Sequence, residues 1–226
     1  MPGCINLRGY VNYDLPSRVD QGNRPHGGVS LLIKQDIPQS SVHINTNVQA
    51  IATRITLNRP ITICSVYLPP SHPISMAELN NMYQQLPSPA IILGDFNAHS
   101  MLWGGNKTDR RGEQIEQFLS DNNLCLMNDN SPTHLQGSSG TFTSIDLSIC
   151  HPSLLLDYSW ETEEETCGSD HYPIILKSDH SVPTNIPSWN ISKANWPLFE
   201  QLCYNGINSM DFSQSENPIE DFTNIL

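Results

Sequence analysis

Residues 91–99 read Ile91-Ile92-Leu93-Gly94-Asp95-Phe96-Asn97-Ala98-His99. The first three are apolar without alternation and too few for a core helix. They predict a short central strand covered on both faces, which is the mark of a sheet inside a layered α/β domain. The run stops at Gly94, so a carboxylate (Asp95) and a carboxamide (Asn97) fall at a strand end, where side chains meet a ligand at a sheet edge.

Working outward, Ile51, Thr53, Ile55 and Leu57 alternate with Ala52, Arg54 and Thr56. Asn58-Arg59-Pro60 then turns the chain into a second run, Ile61 to Leu68, so the two predict a β-hairpin closed off by Pro69-Pro70. Ser75-Met76-Ala77-Glu78 has the form of a capping box. Behind it Leu79, Met82, Tyr83 and Leu86 recur at helical spacing. A second helix is expected from about Arg111 to Asn122, burying Ile115, Phe118 and Leu119. Further strands are expected at 29–33, 124–127, 141–149, 158–164 and 172–177. Within 141–149, Ile145, Leu147 and Ile149 share one face, and Ser144, Asp146 and Ser148 the other. Strands outnumber helices and neighbours are hairpin-linked, which predicts a layered α/β sandwich of two mixed β-sheets flanked by helices.

The chain has 226 residues and a net charge of −12, which argues against a broad phosphate-binding surface. The imbalance is partly a matter of place, since residues 179–226 hold six acids against one base, Lys193. With Pro183, Asn185, Pro187 and Ser188 this tail reads as an acidic linker, with a short helix expected to start near Trp196. The domain proper is expected to span 1–178. No apolar run is long enough for a transmembrane helix and no signal peptide pattern opens the chain, so an intracellular protein, nuclear or cytoplasmic, is expected. The six cysteines form no C-x-x-C pair and are expected to be buried free thiols.

The polar groups at predicted strand ends are Tyr67, Asp95, Asn97, Asp146, Asp170 and His171. Together they suit phosphoester hydrolysis. One carboxylate can take a proton from water while another ligates Mg²⁺, and an Asp-supported imidazole can stabilise developing negative charge.

The motifs Ile91–His99, Ser144-Ile145-Asp146-Leu147 and Gly168-Ser169-Asp170-His171-Tyr172-Pro173 resemble the signature of the endonuclease/exonuclease/phosphatase family, with its DNase I-like fold. Val66-Tyr67-Leu68-Pro69-Pro70, His26-Gly27-Gly28-Val29 and Trp103-Gly104 resemble its branch in jockey-like non-LTR retrotransposons. The resemblance covers about residues 5–178. The tail's Trp189-Asn190 and Lys193–Trp196 are similar to the segment joining nuclease to reverse transcriptase. The resemblance implies a metal-dependent DNA endonuclease that leaves a 3′-hydroxyl to prime reverse transcription, with a reverse transcriptase domain in cis. By the same likeness Asp95 would orient and deprotonate the attacking water, and Asn97 would hold that water or a phosphate oxygen. His171 would bind the scissile phosphate, oriented by Asp146, and Tyr67 would hydrogen-bond a phosphate oxygen. Mg²⁺ or Mn²⁺ would lie near Asp95 and Asp170, and His99 is a weaker site candidate.

In the family an Asn-bearing strand, a helix and a strand with the metal-binding Glu come first. This chain opens after the equivalents of all three, so a domain lacking its first strand–helix–strand, and with it that Glu, is expected. Two other readings follow: a phosphatase or phosphodiesterase of the same fold, and a catalytically impaired remnant acting as a binding module.

Overall fold

The structure, a computed structural model, describes residues 7–19, 25–137, 140–178 and 195–209. The chain forms two units, Met1–Val182 and Pro183–Leu226. Of the expected linker, 179–226, residues 179–194 and 210–226 lie outside the described residues.

The first unit opens with β1 (Tyr10–Leu15), the two-residue strands β2 (Arg18–Val19) and β3 (Pro25–His26), and β4 (Val29–Lys34). Next come β5 (Gln39–Val42), β6 (Gln49–Thr56), β7 (Pro60–Tyr67), helix α1 (Met76–Gln84), β8 (Ala90–Asp95) and helix α2 (Arg110–Asp121). The rest is β9 (Cys125–Leu126), β10 (His134–Gln136), β11 (Thr141–Thr143), β12 (Asp146–Cys150), β13 (Tyr158–Thr162) and β14 (Ile174–Ser178).

One sheet organises the unit, in the order β5-β6-β7-β8-β12-β9. Its mixed character lies at the centre, where β7 and β8 run parallel while β8 and β12 run antiparallel. The expected hairpin is β6–β7, closed by Thr56 opposite Pro60.

Alternation along these strands assigns the two cores. Cys64, Val66, Ile92, Leu147 and Ile149 pack toward the helices, where Leu79, Met82, Ile115 and Phe118 are fully buried. Ile61, Ile63, Ile91, Leu93 and Cys150 point the other way, meeting Ile33, Trp160, Ile174 and Leu176 from the antiparallel pairs β1–β4 and β13–β14. The result is helices, central sheet and a second β layer, so strand 91–93 is covered on both faces as its composition requires. The sequence's polar face of 141–149 is covered as well. Ser148 is 1% exposed and its hydroxyl accepts from Trp160 Nε1 at 3.0 Å. Cys64 and Cys150 are the buried free thiols expected, but Cys167, in the loop between β13 and β14, is exposed.

Local signals hold the helices. Ser75 and Glu78 form the reciprocal capping box, and Asp109 caps α2 by accepting from the Gly112 N–H at 2.7 Å. Tyr83 of α1 and Phe118 of α2 pack edge to face, with centroids 5.9 Å apart. The run expected at 141–149 is split. Thr141–Thr143 pairs with β10 as a separate small ribbon, and β12 starts only at Asp146. In the second unit, α3 (Trp196–Ser209) is longer than the short helix expected there, and Trp196 packs edge to face on Phe199.

Gly94 is where the central sheet tolerates no side chain. Its φ is +151°, and a Cβ there would stand 1.8 Å from the carbonyl oxygen of Val66 on the parallel neighbour. Gly94→Ala should therefore destabilise the domain by on the order of 3 kcal/mol, lowering its melting temperature by roughly 10 °C. Thermal unfolding followed by circular dichroism checks this; a loss below about 1 kcal/mol would mean that β7 and β8 separate at this rung without cost.

Candidate active site

Two registers meet at Asp95. On one side the residue opposite it is Tyr67, the last of β7. On the other it is Asp146, the first of β12. Tyr67, Asp95 and Asp146 thus occupy one rung across three neighbouring strands, at the end of the sheet and on its second-layer face.

Asp95 is held from below by Asn97. The Asn97 N–H donates to Asp95 Oδ1 at 2.9 Å, and its side-chain amide donates to Asp95 Oδ2 at 2.7 Å and to the Leu68 carbonyl at 3.1 Å. Asn97 has φ +47°, a left-handed conformation that asparagine accepts more readily than most residues. Both hydrogens of its amide are engaged, so in this geometry Asn97 fixes the carboxylate and the Leu68 loop together.

Arg111, which the sequence did not single out, makes that loop rigid. Its guanidinium donates to the carbonyls of Leu68, Pro69, Pro70, His72 and Phe96, at 2.6 to 3.3 Å. The Pro-Pro segment after Tyr67 is thereby tied to α2. A groove of about 440 Å³ opens beside it, lined by Gln49, Tyr67, Pro69, Pro70 and His72 among others.

The second half of the site arrives from the loop before β14, and Thr133 brings it in. Its buried hydroxyl accepts from the N–H groups of Ile145 and Asp146, at 3.1 and 3.0 Å, and its carbonyl accepts from the Tyr172 N–H at 2.8 Å. The Leu135 N–H donates to the Asp170 carbonyl at 2.7 Å, and His134 bridges to His171. Segment 133–135 so stitches the start of β12 to the Asp170–Tyr172 loop. His171 Nδ1 consequently lies 2.8 Å from Asp146 Oδ2. Asp170 faces His134, with Oδ2 3.9 Å from Nε2.

Tyr67, Asp95, Asn97, Asp146 and His171 therefore converge, with Asp170 at the exposed rim. His99 pairs through Nδ1 with Asp109 Oδ2 at 3.0 Å, which ties its loop to the cap of α2, and it lies near enough to His134 for the two charges to interact.

Burial, and then the charge of Asp146, push the Asp95 carboxyl up to about 6. The hydrogen bond to Asp146 outweighs burial at His171 and holds its imidazole above the usual range. Burial and the neighbouring charge of Asp95 raise the Tyr67 phenol, which stays a hydrogen-bond donor at neutral pH. Two carboxylates on one rung, one of them ionising reluctantly, fit a hard divalent cation, which takes oxygen donors and would relieve their repulsion.

The family model described as "Endonuclease-reverse transcriptase" matches residues 61–175, a little over half of the chain. The chain belongs to this endonuclease–reverse transcriptase family. Its members cut phosphodiesters as hydrolases, and the matched span holds Tyr67, Asp95, Asn97, Asp146, Asp170 and His171. The chain is 27% identical over 189 residues to the RNA-directed DNA polymerase from mobile element jockey of Drosophila funebris, covering 81% of this chain and 20% of that protein. It is 25% identical to the probable RNA-directed DNA polymerase from transposon X-element of Drosophila melanogaster, with coverage of 76% and 19%. The chain thus spans about a fifth of the length of the curated relatives it matches. Among solved structures, the endonuclease domain of TRAS1, a telomere-specific non-LTR retrotransposon, superposes with a TM-score of 0.63 at 22% identity, over 76% of this chain and 79% of that one. The Xenopus laevis APE2 catalytic domain superposes with a TM-score of 0.56 at 21% identity, over 76% of each chain. Both show a DNase I-like fold.

The raised Asp95 carboxyl has a consequence for stability whose sign is fixed by linkage. The group binds its proton more tightly folded, at about 6, than at its ordinary 3.8. Its contribution favours folding fully below about pH 4 and is lost as pH rises through about 6. In chelator-treated buffer, wild type should lose stability relative to Asp95→Asn across that window, by on the order of 2 kcal/mol, and the difference should be flat above it. Thermal melts of both proteins from pH 4 to pH 8 check this; parallel curves would show that Asp95 ionises normally.

Proposed function

We propose that this chain is the endonuclease domain of a non-LTR retrotransposon polyprotein, hydrolysing one strand of target DNA to leave a 3′-hydroxyl that primes reverse transcription. The observation that carries the reading is the Asp146–His171 pair, 2.8 Å apart, beside the carboxylate of Asp95 on the same rung. The names of the relatives, RNA-directed DNA polymerases, support a reverse transcriptase domain in cis.

Asp95 orients the attacking water and accepts its proton as the general base. Asn97 keeps that carboxylate from rotating. His171 spends Nδ1 on Asp146, so Nε2 remains to donate to a non-bridging oxygen of the scissile phosphate, where negative charge grows in the pentacovalent transition state. Tyr67 donates its phenol to a second phosphate oxygen from the other side of Asp95. Mg²⁺ or Mn²⁺ held by Asp95, with Asp170 at the rim, would supply Lewis-acid stabilisation of the phosphoryl group. Among the described residues no helix is long and apolar enough to cross a membrane.

Supercoiled plasmid incubated with the protein and Mg²⁺ or Mn²⁺ should become open circles, and chelation should stop the reaction. A DNA polymerase should extend the nicks directly. Nicks that need phosphatase treatment first would exclude a 3′-hydroxyl product, and cleavage of phosphomonoesters in place of DNA would move the chain to a phosphatase reading.

The histidine pair gives a sharper expectation. His171→Ala should slow single-turnover nicking by on the order of 10²–10³ while leaving DNA binding nearly intact, because the lost donor matters most in the transition state. Asp146→Asn acts through the same ring, so adding it to His171→Ala should cost little more. A double-mutant defect equal to the product of the two single defects would remove the pair from the mechanism.

A further inference from the structure

We infer that His134, Asp170 and His171 form a binding site for a transition-metal dication of the zinc class, apart from Asp95, whose occupation shuts off hydrolysis. The inhibitory half of this proposal rests on the role given to His171 above; the binding half does not.

The geometry starts with the two imidazoles. His134 and His171 come from different elements, β10 and the loop before β14, and the isolated bridge between their backbones brings them side by side. Their rings lie 4.7 Å apart between centroids and are inclined at 55°. Each ring is fixed through Nδ1. His171 Nδ1 is 2.8 Å from Asp146 Oδ2, and His134 Nδ1 is 3.0 Å from Thr143 Oγ1. Among the described residues Nε2 of neither ring makes a hydrogen bond, and that of His134 has Asp170 Oδ2 3.9 Å away. An imidazole tied at one nitrogen by an oxygen partner and open at the other is the arrangement that metal-binding histidines use, because the outer partner sets tautomer and direction.

The third donor is Asp170. One ligand atom from each of the three residues lies within 4.8 Å of the others, and Asp170 Oδ2 is 3.9 Å from His134 Nε2. A tetrahedral ion at 2.0–2.2 Å from its ligands holds them roughly 3.4 Å apart. The closure required is therefore at most roughly 1.4 Å between any two donors, and the carboxylate, 69% exposed, is free to move toward the rings. Two imidazoles and one carboxylate with an open fourth position make a donor set that zinc sites use. Mg²⁺, which takes oxygen donors, is a poor match for it. The set is thus selective against the ion proposed at Asp95, with which it shares only Asp170.

Filling this site has a definite cost for catalysis. The metal would take His171 Nε2, the nitrogen that must otherwise reach the scissile phosphate, and would draw Asp170 toward His134. Hydrolysis supported by Mg²⁺ should then fall as Zn²⁺ is added, without loss of the fold.

The test separates the two halves. Zn²⁺ binding is measured by calorimetry, and Co²⁺ in its place reports the ligand field by visible absorption, in a Cys167→Ser background because that thiol is exposed. One equivalent should bind. His134→Gln should weaken it by at least the roughly 10- to 100-fold that loss of an outer partner costs, and Thr143→Val, which removes only such a partner, by about 10-fold. Circular dichroism confirms the fold of each variant, and Thr143→Val serves if His134→Gln does not fold. Equal Zn²⁺ affinity in wild type and in the folded variants overturns the site. Plasmid nicking with Mg²⁺ is then titrated with Zn²⁺, each variant against its own rate. The half-inhibitory concentration should rise in step with the loss of affinity. Binding that depends on His134 with no inhibition would keep the site and overturn the switch, while His171→Ala nicking at the wild-type rate would fault the catalytic role of His171 alone.

Discussion

Strand β8 is paired on one edge by a parallel neighbour and on the other by an antiparallel one, and the two registers are coupled only through it. Because side chains alternate along a strand, slipping either neighbour by one residue would turn Tyr67 or Asp146 to the helix side of the sheet. Chemistry and core share this constraint. The registers that bring Tyr67, Asp95 and Asp146 onto one rung are those that send Val66, Ile92 and Leu147 into the helix-facing core. Selection for a dry core therefore also holds the catalytic rung in line.

The remainder of the site is set by hydrogen bonds made by residues that carry no chemistry of their own. Thr133 uses one hydroxyl and one carbonyl to join the beginning of β12 to the loop bearing His171. A buried hydroxyl with two backbone donors is costly to remove, since a substitution without one leaves the Ile145 and Asp146 N–H groups without their acceptor. Asn97 does similar work for Asp95. Both residues exchange local freedom for placement of a neighbour, which is how a site on loops acquires the precision of one on strands.

How much of this was legible depended on the range of the signal. Local patterns read well: the apolar run 91–93, the Ser75 capping box, the hairpin about Asn58–Pro60 and the helix beginning near residue 111. The strand-end polar residues also read as a group, because a strand end is itself a local inference. Four features did not read. His134–Gln136 is a three-residue ladder bounded by a proline and a glycine, too short for any periodicity. The break between Thr143 and Asp146 is imposed by Thr133, which takes the N–H groups of Ile145 and Asp146 and depends on a contact a dozen residues away. Arg111 looked like the first residue of an amphipathic helix, and its five carbonyl partners lie up to 43 residues distant. Ser148 read as part of a polar face because composition does not reveal that a second layer, with Trp160 in it, covers that face.

The Arg111 clamp also bears on how nucleic acid would approach. It is a full positive charge close to Tyr67 and Asp95, yet its donors point into backbone carbonyls. A guanidinium engaged in this way offers phosphate little, and few others offset a net charge of −12. Capture of a polyanion from a distance, which relies on a field of unengaged cations, is therefore weak on this surface. Encounter should proceed at an ordinary docking rate, and since few condensed counterions are displaced, affinity should change only gently with ionic strength.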